Sequence, residues 1–244
     1  MIRLFLIAMF MANSLLATNI QTIEYSHAGN FKGLFSLPLP LEDESTTNEN
    51  LDPIKYPIVI FSYDQYVDFL GKTNAARIGY DLEAFIKEFN DWGYAAFVPI
   101  ERHRKLNALK GALFHLQRNK QIDTSNIFLV GSGEGALLSL LAVHNAPKVK
   151  GIVIIDPDPI HKKGHLSFPN LVRQMDSIKS PILFIAGKSN KRWKNKRSNL
   201  LHKLFIDNQK SIKYKEYFFK KKWFWNPKYR FMDDIKDFID EESQ

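Results

Sequence analysis

Cysteine is absent from all 244 residues, which excludes disulfides, thiolate metal sites and a cysteine nucleophile. Histidine is sparse: there are seven, and none follows His202. Any chemistry that needs an imidazole from the end of the chain is therefore excluded. Long apolar runs are missing as well. The run from Leu4 to Met11 falls short of the roughly 20 apolar residues that a membrane-spanning helix needs. No internal repeat is present, and no break in composition separates a second domain.

What is present can bury a full core: 45% of residues are hydrophobic and 13% aromatic, enough for one large α/β domain. The first 18 residues carry Arg3, the short apolar run, and small residues at Ala12, Ser14 and Ala17. That pattern is expected of an export signal over residues 1–18. It leaves a single domain over 19–244 in a periplasmic or secreted protein. The net charge of +8 is unevenly placed. Between Gly187 and Arg230 stand 15 Lys/Arg against Asp207 and Glu216, a local +13 that leaves −5 elsewhere. A basic stretch of this kind attracts polyanions, such as anionic lipid headgroups or an envelope polyanion.

Alternation in QTIEYS (21–26) and FKGLFSL (31–37) around Gly29-Asn30 predicts an opening β-hairpin. Five runs follow that are apolar on both faces: PIVIFSY (57–63), YAAFVPI (94–100), NIFLVG (126–131), GIVIID (151–156) and PILFIAG (181–187). Strands covered by helices on both sides require such runs. Ile78, Leu82, Phe85, Ile86 and Phe89 fall at helical spacing, with Gly93 as a stop; Leu106, Leu109, Leu113 and Leu116 do the same. SIKYKEYFF (211–219) predicts a last strand, and Met232, Ile235, Phe238 and Ile239 a last helix. The expected fold is a doubly wound, mostly parallel sheet behind an N-terminal hairpin.

The sharpest local signal is IFLVGSGEGALLSLL: a buried strand, the turn Gly131-Ser132-Gly133-Glu134-Gly135-Ala136, and an apolar helix. This strand-turn-helix resembles the nucleophile elbow of the α/β-hydrolases, G-x-S-x-G. YPIVIFS resembles the strand that leads into the oxyanion loop, WGYAAFVPIERHR the next strand with its polar turn, and SPILFIAGKSN the strand before the acid turn. The likeness runs from Glu24 to Ile239 and is nearest to dienelactone-hydrolase-like and acetylhydrolase-like branches.

The resemblance implies a nucleophile between Gly131 and Gly135, and the residue there is Gly133. The Glu134 amide and the Tyr63 region would form the oxyanion hole. The acid position after the strand at 181–187 falls on Asn190, and the base position near Lys222 or Trp223. A lysine is protonated at neutral pH and indole is no base. On this alignment the triad is degenerate, at Gly133, Asn190 and Trp223. Sliding the motif by one makes Ser132 the nucleophile of a working esterase, with Asp156 as acid, and puts Val130 and Glu134 where small residues are expected.

Two further readings stay open. Gly131-x-Gly133-x-x-Ala136 with Asp156 satisfies the loose dinucleotide fingerprint. His103 in ERHR and Asp158 stand where substrates of this fold sit, as candidate ligand contacts. His161 and His165 make an i, i+4 pair, but Lys162, Lys163 and Gly164 between them favour a plain loop, and no metal or cofactor is expected. The aromatic and basic run YKEYFFKKKWFWNPKYRF suits a headgroup boundary better than nucleic acid.

Overall fold

A computed structural model describes residues 19–39, 54–157, 168–188, 192–218 and 230–244. The expected signal at 1–18 lies outside them, as do residues 40–53. Among the described residues the strands form one eight-stranded sheet: β1 Gln21–Ser26, β2 Asn30–Ser36, β3 Tyr56–Ser62, β4 Ala95–Ile100, β5 Ile122–Ser132, β6 Gly151–Ile155, β7 Ile182–Gly187 and β8 Ile212–Tyr217. Their order is β1-β2-β4-β3-β5-β6-β7-β8. The β1-β2 hairpin and the β2-β4 pairing are antiparallel; every later pairing is parallel. A dinucleotide-binding sheet has the order 3-2-1-4-5-6 and carries its glycine turn after the first strand. Here the turn follows the fifth, and the first two strands make an antiparallel edge.

The helices are α1 Tyr66–Leu70, α2 Lys72–Arg77, α3 Leu82–Asp91, α4 Lys105–Leu116, α5 Glu134–Ala142, α6 Phe168–Gln174, α7 Arg192–Asp207 and α8 Arg230–Ser243. Alternate strand residues divide between two cores. Ile58, Ile60, Leu129, Ile152 and Phe184 face α4, α5, α6 and α7, whereas Val59, Phe61, Val130, Val153 and Ile185 face α1, α2, α3 and α8. This period-2 split explains why the middle strands read as continuous apolar runs.

The single helix expected from Ile78 to Phe89 is corrected. Asp81 caps α3, its carboxylate accepting the N–H groups of Glu83 and Ala84 at 3.0 and 3.2 Å. The helix therefore starts at Leu82, and Ile78 lies before the cap with 41% of its surface exposed. Between β3 and α3 the chain forms the two short helices α1 and α2, which bury Val67 and Ala75 in the second core.

The last helix closes the second core. Ile235 and Ile239 are fully buried, and Tyr94, just before β4, donates its hydroxyl to Asp240 at 2.9 Å. Burial, aided by Asp240, pushes the Tyr94 hydroxyl up to about 12. Two outcomes follow. Ile235→Ala is expected to lower the unfolding free energy by about 2–5 kcal/mol, read from a urea midpoint. Because the Tyr94 proton is held more tightly in the folded state, its contribution is complete below pH 10 and is lost as pH rises toward about 12. The thermal midpoint should therefore fall across that window, and less steeply in Tyr94→Phe.

Candidate functional site at the strand-turn-helix elbow

β5 ends at Ser132 and α5 begins at Glu134, so Gly133 alone makes the turn, at φ 55° and ψ −114°. A residue with a Cβ is strained in this region, by about 1–3 kcal/mol, and glycine is not. The Gly133 N–H donates to the Ile155 carbonyl at 2.9 Å, tying the apex to β6. A Cβ on Gly131 would lie 2.6 Å from Ser139 Oγ and run into the Gly135 backbone. One on Gly135 would lie 2.9 Å from the Tyr63 carbonyl and overlap that of Ser62. Both flanking positions thus have no room for a side chain, and the residue between them is Gly133. Ser132, the last residue of β5, is 1% exposed.

Over the apex stands Asp64, two residues past β3. A Cβ on Gly133 would overlap its carboxylate and lie 2.8 Å from its Cγ. Asp64 Oδ1 accepts the Tyr66 N–H at 3.0 Å, and the Asp64 carbonyl accepts the Val67 N–H at 3.1 Å. The rings of Tyr66 and Tyr80 stack with centroids 5.5 Å apart. The Tyr80 hydroxyl is raised above the usual phenol range by burial first, then by Asp64, Tyr66 and Asp156. Asp156 is the first residue after β6, at φ 41°, and its N–H donates to Ile185 at 2.8 Å.

Beside the elbow, Lys105 at the start of α4 is held between two carboxylates. It pairs with Asp68 of α1 and, at 2.6 Å, with Glu134, and each of the three side chains is at most 14% exposed. The Tyr63 ring lies 5.0 Å from its Nζ. The Tyr63 hydroxyl donates to Asp68 at 3.2 Å, and burial raises it well above the usual phenol range. Burial also works against the Glu101 charge, but the N–H groups of His103 and Arg104 and the Arg104 guanidinium outweigh it and hold the carboxyl below its usual range. Ser62, Tyr63, Pro99, Glu101 and Lys105 line a small hollow there.

Of the residues expected from sequence, Gly133, Glu134 and Asp156 are brought together at the carboxyl ends of β5 and β6. Tyr63 lies next to them, with its hydroxyl turned to Asp68 and Glu101. His103 is exposed on the bend before α4. Asp158, His161, His165, Asn190, Lys222 and Trp223 lie outside the described residues. His202 stacks on Tyr214 at 4.1 Å and meets Phe184 edge-on. Among the described residues no three His, Asp or Glu are grouped to hold a metal, and no helix is long and apolar enough to cross a membrane. The basic stretch is partly paired where it is described: Lys188 with Glu216, Lys213 with Glu241 and Lys215 with Asp234. Phe218 is 82% exposed, with Lys188 Nζ 5.2 Å from its ring centre. Asp64, Asp68, Tyr80 and Lys105 were missed in the sequence. The only local signal was a polar residue just past a strand's carboxyl end, in SYDQY and in RHRK.

No family model matches the chain, and no curated protein matches it by sequence. Solved structures do. An α/β hydrolase enzyme, MGS-M1, from a Medee basin deep-sea metagenome library aligns with a TM-score of 0.64 at 14% identity, covering 91% of this chain and 98% of its own. An esterase from Rhizomucor miehei aligns at 0.60 with 12% identity, over 91% and 82%. The acylaminoacyl peptidase of Pyrococcus horikoshii aligns at 0.64 with 12% identity, over 92% of this chain and 42% of its own. The strand order, the glycine-bounded elbow and these alignments agree: the chain has the α/β-hydrolase fold.

Proposed function

We propose that this chain is an exported α/β-hydrolase-fold protein that does not carry out Ser-His-Asp hydrolysis and acts by binding an anionic surface. The observation that carries the first part is the register of the elbow. Gly131 and Gly135 have no room for a Cβ, so the apex is Gly133, which has no hydroxyl, and Ser132 is buried in the strand before it. The absence of any histidine after His202 supports the same reading, since the last loop then has no imidazole to act as base. The N-terminal residues MIRLFLIAMFMANSLLAT support export.

Binding is assigned to the 187–230 stretch on its local +13 charge and on the exposed Phe218 beside Lys188. Cations interleaved with aromatic rings fit an interface where one side is wet and the other apolar.

Two experiments test the reading. The purified protein is treated with a fluorophosphonate probe and short-chain nitrophenyl esters beside Ser132→Ala. Neither protein should label or turn over ester above buffer; labelling that disappears in the variant would establish Ser132 as a nucleophile and overturn the proposal. Binding is then measured to vesicles of phosphatidylglycerol with phosphatidylcholine and of phosphatidylcholine alone. The mixed vesicles should bind, more weakly as salt rises. With about 1 kcal/mol for each lysine near the surface, reversing Lys220, Lys221 and Lys222 to glutamate should weaken binding by about a hundredfold or more. Equal binding to both vesicles would sink this part.

A further inference from the structure

The vacancy that glycine leaves at the elbow is filled from inside the chain. β3 delivers Asp64 directly above Gly133, and the carboxylate stands where a Cβ at 133 would project. Its place is fixed by two bonds at the start of α1, from the Tyr66 N–H to Oδ1 and from the Val67 N–H to the Asp64 carbonyl. Four residues on, Asp68 is gripped by Lys105, and the same lysine grips Glu134, the residue that follows the apex. The segment from Asp64 to Asp68 is thus held to the elbow at both ends, once by the fit of a side chain into the glycine's empty volume and once by a shielded ion pair.

We propose that Asp64 is an internal plug, which takes the volume of the missing nucleophile side chain and closes the elbow to ligands from outside. The arrangement is an exchange. A side chain at 133 requires the Asp64 carboxylate to leave, which costs it the Tyr66 N–H; with glycine at 133, the carboxylate settles and α1 folds down over the strand ends. The plug is steric first: the overlap is with the Oδ2 and Cγ atoms, whereas the Asp64 Cβ would stay at 3.4 Å, an ordinary contact. It rests on Gly133 being the apex, and it leaves the basic stretch rather than the cleft as the binding surface.

The test leaves Gly133 in place and changes only the plug: Asp64→Ala and Asp64→Asn are compared with the parent by hydrogen exchange. In Asp64→Ala the amides of residues 131–138 should exchange faster by about tenfold or more, as expected if the open elbow is a minor population in the parent and the main one in the variant. Asp64→Asn keeps the volume and should exchange as the parent does. An unchanged rate in Asp64→Ala, or an equally fast rate in Asp64→Asn, overturns the plug. These readouts report access and not turnover, so ester hydrolysis that depends on Ser132 would overturn the functional reading by a different measurement.

Discussion

The approach of α5 to β3 through Gly135 is the contact on which the rest of this molecule depends. A backbone carbonyl from Ser62 occupies the place of a side chain at 135, so the helix can lie this close to the sheet only where there is no Cβ. The same closeness forces β5 to turn within one residue, and that one-residue turn puts Gly133 at positive φ. It also sets the α5 amino terminus beside the ends of β3 and β6, which Asp64 and Asp156 follow. The elbow is therefore a packing solution before it is a catalytic one, and the geometry persists whatever residue stands at its apex.

Charge is organised around the same point. Lys105, Asp68 and Glu134 come from three different helices and share a site where each is at most 14% exposed. Removing charged groups from water is costly, and a buried pair compares poorly with an apolar contact of the same size. What such a cluster supplies is specificity of position: breaking it leaves an uncompensated charge, so α1 has one well-defined seat. The basic stretch works differently. Lys188 and Lys213 reach exposed carboxylates, Glu216 on β8 and Glu241 on α8, contacts worth little individually in water, whereas the partner of Lys215, Asp234, is half-buried. Lys188 and Lys213 can exchange their partners for an external anion at small cost.

The architecture was legible because burial on both faces writes itself as uninterrupted apolar runs. β3, β6 and β7 fall within a residue of the runs that predict them, and Met232, Ile235, Phe238 and Ile239 do lie on the buried side of α8. The start of the helix read from Ile78 to Phe89 was misplaced where a local cap overrides periodicity. Ile78 has the right spacing for α3, but the Asp81 carboxylate takes the first helical amides and starts the helix after it. At the site, the three alternate glycines pointed to the elbow, since glycine requirements are local. Asp64 and Lys105 were not legible. Asp64 meets Gly133 across 69 positions of chain, and Lys105 meets Glu134 across 29. No periodicity or motif spacing encodes a contact that the crossover of two strands creates.

The three glycines of the elbow thus answer to different pressures. Gly131 and Gly135 face backbone, and backbone cannot move aside; a Cβ at either must displace a strand or a helix. Gly133 faces the end of a side chain, which can rotate. A hydrolase gains from a nucleophile at that apex and tolerates the strain of holding it. On the proposed reading catalysis is not selected here, so glycine removes the strain and the freed volume accepts the carboxylate of Asp64, two residues past β3. Restoring a hydroxyl at 133 alone then does not restore a hydrolase: the Asp64 carboxylate would have to be evicted first, and a base supplied among the residues after His202, which include no histidine.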